Sequence, residues 1–434
     1  MYKIGFITLG CKVNIYESNA LKDEFIKLGH EAIDAKPMCD AYIINTCSVT
    51  NMADSKSRQM IHKCINYNPN AVIAVMGCYS QSNPEAKTIP GVDILLGNNN
   101  KHEAVKKILE MLENGRYRYV NLLDILHERD YEPLEVTMFD RTRAFVKIED
   151  GCQNFCTYCI IPFARGPVRS KKADSVLQEI KEIARRGYKE VVLSGIDTGK
   201  YYDKESNTNF AKLCKRILDE VKEIKRLRVS SVEIMQITEE FVEVLKDSRV
   251  IADHMHLPLQ SGSDNVLNMM KRHYTTKQFK EKVDLIRTAR PNISISSDII
   301  VGFPTESEKD FNDSMEFIES IGMTHLHVFP FSKREGTRAA DFPDISPEIK
   351  KERTKKMMEL SVKLERRYNS LFIDKELDVI FEQVTKDGRI SGHSSNFIEI
   401  LVSGDESLVG RYAMVKITSS EKTKLIGEIS SFLD

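Results

Sequence analysis

The sequence predicts an α/β multidomain protein, with an N-terminal parallel α/β sheet domain, a central partial six-unit β/α barrel and a small C-terminal β-barrel. Three observations predict it. Short β-branched apolar runs alternate with helical patterns over residues 3–110. The same alternation restarts near Arg143 and repeats six times, too many units for a small open sheet and short of the eight of a closed TIM barrel. Beyond Ile373 the helical period is lost, and β-rich runs lie between Gly, Asp and Ser turns.

The first series has strands KIGFITL, AYIINT, AVIAVM and VDILL, with helical stretches such as Ile15–Leu28 between them. Continuous apolar strands of this kind imply a parallel sheet covered on both faces. Residues 1–114 form this domain, and residues 115–140, without helical period, read as a linker. The barrel, 141–346, takes RAFVKIE, EVVLSGI, RVSSVEIM, MHLPLQ, ISISSDIIVG and HLHVFPF as strands, each followed by a helical pattern. A charged helix over 347–370 connects it to the terminal barrel, 371–434.

Composition excludes little. Apolar residues are 41% and charged residues 29%, and Lys+Arg is 63 against Asp+Glu 64, so no global basic excess announces nucleic acid. Any RNA contact falls to local patches: Arg165, Arg169, Lys171 and Lys172, and the charged helix. A solvated face is the competing reading of each, and it is the weaker one for the four residues after the cluster loop, which border the proposed site. The start MYKIGFITLGCKVN lacks signal-peptide features and no run is long enough to cross a bilayer, which predicts a cytoplasmic protein without a membrane partner. Nine cysteines, an odd number, then argue for metal binding or catalysis over a disulfide framework.

Cys152, Cys156 and Cys159 fall within eight residues, on the loop after the first barrel strand. Their spacing also fits one buried helix face, but Gly151 and Pro162 bracket them, and strand-to-helix loops carry the active sites of this architecture. Zinc would need a fourth ligand, and the nearest histidines in sequence are His127 and His254. A 4Fe–4S cluster on three thiolates keeps one iron open, and is favoured. Cys11, Cys47 and Cys78 each follow one of three consecutive strands, as TLGC, INTC and VMGC. The carboxyl ends of parallel strands share one edge, so these loops are predicted to converge on a second three-thiolate centre. Cys39, Cys64 and Cys214 read as packing residues.

CxxxCxxC with an aromatic before its last cysteine, on the first loop of a six-unit barrel, resembles the radical S-adenosylmethionine (SAM) enzymes. The strand-end cysteines, with TLGCKVN, LPLQSGS, SSDIIVGFPTE and FSKREGT, resemble the methylthiotransferases of that superfamily. The tail, with GHSSNFIEI, VKIT and LIGEI, is similar to a TRAM domain. The resemblance spans nearly the whole chain.

It implies two 4Fe–4S clusters, on Cys152, Cys156 and Cys159 and on Cys11, Cys47 and Cys78, with SAM as methyl donor and radical source. SAM would bind the open iron of the first, with Tyr158 beside the adenine. Ser194 and Gly195 would lie near the methionine part, and Asp298 and Gly302 would flank the adenosine. Gln260 either lines that cavity or braces the barrel rim. The second cluster would hold the sulfur that is methylated, and the methylthio group would pass to a substrate carbon activated by hydrogen abstraction. A low-potential electron donor and a sulfur source are implied partners.

TLGCKVN, with Lys12 and Val13, and the phrases GCYSQ and HVFPFSKREGT look like the branch acting on N6-threonylcarbamoyladenosine at position 37 of the tRNA anticodon loop. The isopentenyladenosine branch more often shows Gln-Met after the cysteine. Other readings are a methylthiotransferase for a ribosomal protein, an iron–sulfur electron-transfer or scaffold protein, and a zinc-stabilised RNA-binding module. The tail's seven Lys/Arg against eleven Asp/Glu, and Phe397 where tyrosine is common, count against generic RNA binding by it.

Overall fold

A computed structural model describes residues 1–137, 139 and 142–433. The expected linker-to-barrel boundary at 140/141 lies outside the described residues. Six parallel strands make the first sheet, in the order Glu31–Asp34, Lys3–Thr8, Ala41–Thr46, Val72–Gly77, Ile94–Leu96, Tyr119–Asn121. Every residue of Ala41–Thr46 and Val72–Gly77 is buried, because helices cover both faces and two separate apolar layers form there. The two outer strands have weak apolar signals. Tyr119–Asn121 lies in the stretch read as a linker, and its pairing with Ile94–Leu96 makes it a strand.

The central strands run in the order Arg143–Lys147, Glu190–Ser194, Arg226–Val229, His254–His256, Ser294–Val301, His325–Pro330. They form two three-stranded parallel sheets joined by bridges Leu227↔Ile251 and Ser231↔His256, a six-unit open barrel. Outward residues such as Ile295 and Ile299 pack in one large core, and inward residues such as Arg228, His256, Ser296 and Asp298 are polar. The inner wall is therefore built to meet polar partners.

Helix Lys12–Lys27 buries Asn14, Glu17, Ser18, Asn19 and Asp23, which is no apolar stripe. Tertiary pairing explains this. Glu17 meets Lys147 and Arg165 of the barrel region and Lys101 of its own domain. At the far end, helix Pro347–Asn369 leads into a closed barrel of strands Glu376–Val384, Ile390–Ser394, Glu399–Val402, Tyr412–Glu421 and Lys424–Phe432. That barrel caps the amino ends of the central strands. Arg143 pairs with Glu382, Arg226 with Asp378, and Arg228 donates to the carbonyls of Ser394 and Ser395.

Candidate active site

Strand ends place the first three thiols. Cys11, Cys47 and Cys78 follow Lys3–Thr8, Ala41–Thr46 and Val72–Gly77, which are neighbours in the sheet, so the loops meet at its carboxyl edge. Gly10 has φ +91°, and a Cβ there would lie 2.8 Å from Cys47 Sγ, so only glycine lets the two loops close. Asn14 ties them further, donating to the carbonyls of Leu9 (2.6 Å) and Thr46 (2.9 Å). Asn98 Nδ2 donates to Cys78 Sγ at 3.4 Å. Burial pushes the Cys47 thiol up to about 12, with Cys78 and Cys11 adding to the rise and Arg165 opposing it. Burial also raises Cys11, again against Arg165. Each of the three thiols thus stands on its own loop at one edge of the sheet.

The second triad is not a helix face. Residues 151–156 have no helical structure and Thr157–Tyr158 form a turn. Gly151 has φ +92°, and a Cβ there would clash with Pro167 O at 2.0 Å, which anchors the loop against the chain that returns from it. Burial and Cys156 push Cys159 up to about 12, and Arg272 pulls against them. Arg272 Nη1 donates to Cys156 Sγ at 3.4 Å and pairs with Glu233. Each triad thus has one buried guanidinium beside it, Arg165 for one and Arg272 for the other.

Arg165 links the two regions. Its guanidinium meets Glu17 (3.1 Å) and Asp150 (2.9 Å) and donates to Asn14 Oδ1 (2.6 Å). Burial alone would raise Glu17, but Lys101, Arg165 and Lys147 outweigh it and hold the carboxyl at about 2. The expectation that Arg165, Arg169 and Lys171 form an RNA patch is corrected here. All three are buried, Lys171 on Glu179 and Arg169 on the carbonyls of Arg165 and Pro167. Only Lys172 of that stretch reaches solvent. On the charged helix, Arg353 is buried against Glu306, and Lys356 and Lys363 pair with Glu352 and Glu319.

The sequence profile of the Radical SAM superfamily matches residues 146–318, and that of the Uncharacterized protein family UPF0004 matches residues 3–97. The threonylcarbamoyladenosine tRNA methylthiotransferase MtaB of Bacillus subtilis (strain 168) is 41% identical over 424 residues, covering 96% of this chain and 94% of its own. The chain belongs to the radical SAM tRNA methylthiotransferases. MtaB of Thermotoga maritima is 36% identical over 96% of this chain and 95% of its own. The tRNA-2-methylthio-N(6)-dimethylallyladenosine synthase of Thermoanaerobacter sp. (strain X514) is 32% identical over 97% and 91%. Among solved structures, the radical SAM methyltransferase TsrM of Kitasatospora setae shares the fold at TM-score 0.56 and 14% identity, over 78% of this chain and 77% of that one.

The methylthiotransferase family implies a 4Fe–4S cluster and SAM, and the residues fit them. Among the described residues the one group of three metal-type donors within 4.8 Å of one another is His256, Asp298 and His327. Neither cysteine triad brings all its sulfurs that close. A single tetrahedral zinc at ~2.3 Å from each sulfur would draw them to roughly 3.8 Å apart, whereas a four-iron cube puts each thiolate on its own iron and spreads them. Three residues before Cys152, Glu149 accepts from the Ile196 and Asp197 amides at 2.8 Å, while its buried Oε1 has no partner. Burial outweighs those amide bonds and pushes its carboxyl well above the usual range. A free, buried carboxyl oxygen suits a cationic amino group such as that of SAM's methionine part.

The other expected SAM contacts fall around the barrel's carboxyl end. Ser194 Oγ donates to Val146 O (3.2 Å), and a Cβ on Gly195 would strike Glu149 Oε2, so that backbone stays bare beside the acid. Tyr158 packs with Val266, Met270, Phe303 and Phe331. Gln260 exchanges backbone bonds with Asp298 and Ile300 at 2.9 Å, bracing the rim. Asp298 faces His256 Nε2 at 3.3 Å, and Gly302 N donates to Glu306 (2.8 Å). Sequence reasoning missed Glu149, Arg272, Asn98 and Arg334, which stand in no spaced motif. Arg334 sits in the quoted FSKREGT, yet its partners Ser48 (2.8 Å), Asp54 (2.7 Å) and Asn51 (3.0 Å) lie 286, 280 and 283 residues away. Cys39, Cys64 and Cys214 are core residues.

Proposed function

We propose that the protein converts N6-threonylcarbamoyladenosine at position 37 of tRNA to its 2-methylthio derivative, with SAM as methyl donor and radical source. The observation that carries this is the pair of thiol triads, one at the carboxyl edge of the first sheet and one on the first barrel loop, with Arg165 spanning the joint between them. The names of the 34–41% identical relatives support the substrate.

Cys152, Cys156 and Cys159 hold the SAM-binding cluster, and Cys11, Cys47 and Cys78 hold a second 4Fe–4S cluster. When bound, these groups supply hydrogen-abstracting radical chemistry and a transferable methylated sulfur. The chain's own residues orient and shield. Tyr158, Ser194, Gly195, Gln260, Asp298 and Gly302 shape the SAM site, with Glu149 taking its amino group. Arg272 and Arg165 offset thiolate charge. In this reading the reacting base enters between the first-sheet domain, residues 1–114 with the strand Tyr119–Asn121 from the 115–140 stretch, and the barrel 141–346, ahead of the helix 347–370 and the terminal barrel 371–434, and closing on the base would exclude water. An extruded anticodon-loop base reaches such a cleft. A low-potential electron donor and a sulfur source complete the system, in the cytoplasm; no helix among the described residues is long and apolar enough to cross a membrane.

Nucleoside mass spectrometry of tRNA tests the reading. Deleting the gene, or substituting Cys47→Ala, is expected to abolish 2-methylthio-threonylcarbamoyladenosine while its precursor accumulates. Unchanged product, or loss of 2-methylthio-isopentenyladenosine instead, would overturn the substrate. Anaerobic iron counting tests the second cluster, with about eight irons per wild-type chain and about four for Cys47→Ala.

A further inference from the structure

Lys12 follows Cys11 directly, but its side chain leaves the thiol triad and enters the barrel. Its Nζ donates to Ser230 Oγ at 3.3 Å, at the end of the third barrel strand. The residue is exposed, and Arg228, Arg143 and Glu190 of the barrel act on its ammonium through space, so it looks into the opening between the first sheet and the barrel. The other charges here are already engaged. Arg143 pairs with Glu382 at 3.2 Å, Glu190 with Arg226 (2.9 Å) and Arg228 (2.7 Å), and Asp298 with His256 (3.3 Å). Among the described residues Lys12 makes no ion pair, and its one bond goes to a neutral hydroxyl. A solvent-reachable ammonium that has no ion pair and points to the barrel is free to take an anion that arrives with the ligand.

We infer that Lys12 Nζ binds the carboxylate at the end of the substrate's N6-threonylcarbamoyl substituent, and so sets the preference for that base. This rests on the function proposed above. Two points favour this anion. Adenine C2 and the N6 substituent flank N1 on one edge of the base, so a protein that presents sulfur to C2 from the centre Cys11 helps to hold can meet the substituent with the next residue. The base enters the cleft while its phosphates stay on the strand outside. A backbone phosphate is the other source of anionic oxygen, and the test separates the two.

Anticodon stem-loop RNAs carrying threonylcarbamoyladenosine or plain adenosine at the target are titrated against the anaerobic full-length protein, its Lys12→Gln variant and its Lys12→Arg variant. The wild type is expected to prefer the modified RNA. Lys12→Gln should lose roughly tenfold to a hundredfold of affinity for it, the worth of one charge-assisted bond, and bind plain RNA as the wild type does. Lys12→Arg should keep most of the preference. If Lys12→Gln weakens both RNAs equally, the lysine holds a phosphate and the inference fails. If the wild type prefers the modified RNA and Lys12→Gln does so equally, the inference fails and the proposed function stands. If the wild type has no preference and forms no 2-methylthio product on the modified RNA, the proposed function fails and the inference with it.

Discussion

At the scale of single residues, the buried arginines matter most. Arg272 lies 3.4 Å from Cys156 Sγ and is itself held by Glu233 and by Tyr274 OH at 3.0 Å. Positive charge beside a thiolate-held cluster stabilises the added electron. Arg272→Gln is therefore expected to retain iron at the barrel triad and to shift its midpoint potential negative by roughly tens of millivolts. Potentiometric titration followed by electron paramagnetic resonance reads this. An unchanged potential with full iron would show that the guanidinium only packs. That Cys11, Cys47 and Cys78 stand at neighbouring strand ends and Cys152, Cys156 and Cys159 on the first barrel loop was legible in sequence, because spacing and strand ends are local features. Arg272 was not, since a surface cation and a buried one are written alike.

At the scale of elements, the Cys47 loop depends on a distant clamp. Helix Asn51–Tyr67 begins just after it, capped by Thr50, and Ser57 exchanges bonds with the Cys47 backbone. Arg334, beyond the last barrel strand, reaches across to Ser48, Asn51 and Asp54, and Ser332 Oγ accepts from Asn51 N at 3.1 Å. Removing the arginine leaves Asp54 buried without its charge partner, which costs about 3–5 kcal/mol. Arg334→Met is expected to raise amide exchange over residues 47–57 and to lower iron at the first triad, while the terminal barrel keeps its protection. Hydrogen-exchange mass spectrometry checks both, and uniform loss of protection would contradict a local clamp. The element types were largely legible from their apolar period. The edge strands Glu31–Asp34 and Tyr119–Asn121 were not, because pairing and not composition makes them strands.

At the scale of the whole molecule, charged joints hold the three parts together. Glu190 binds Arg226 and Arg228, and these arginines carry the terminal barrel through Asp378, Ser394 and Ser395. Phe397 closes the joint, stacked between His254 and His393 at 4.9 and 4.7 Å. Burial alone would raise Glu190, but Arg228 and Arg226 lower it from 4.5 to about 2. Its folded-state value is depressed, so its stabilisation is complete above about pH 4.5 and is lost as pH falls toward 2. Urea midpoints are expected to fall through that window. Glu190→Gln should cost about 3–5 kcal/mol at neutral pH and flatten the acid limb. A variant with the wild-type acid limb would remove Glu190 from that role.

The sequence by itself determined the α/β classes, the order of the six barrel strands and the six cysteines, because hydrophobic period and residue spacing are properties of neighbouring positions. Only the tertiary structure decided that Arg165 and Lys171 are interior counter-ions and no RNA patch, that Glu149 keeps a free oxygen, and that Lys12 reaches Ser230 of the barrel. The physical reason is that a charge's role depends on which opposite charge shares its low-dielectric surroundings, and that partner comes from elsewhere in the chain.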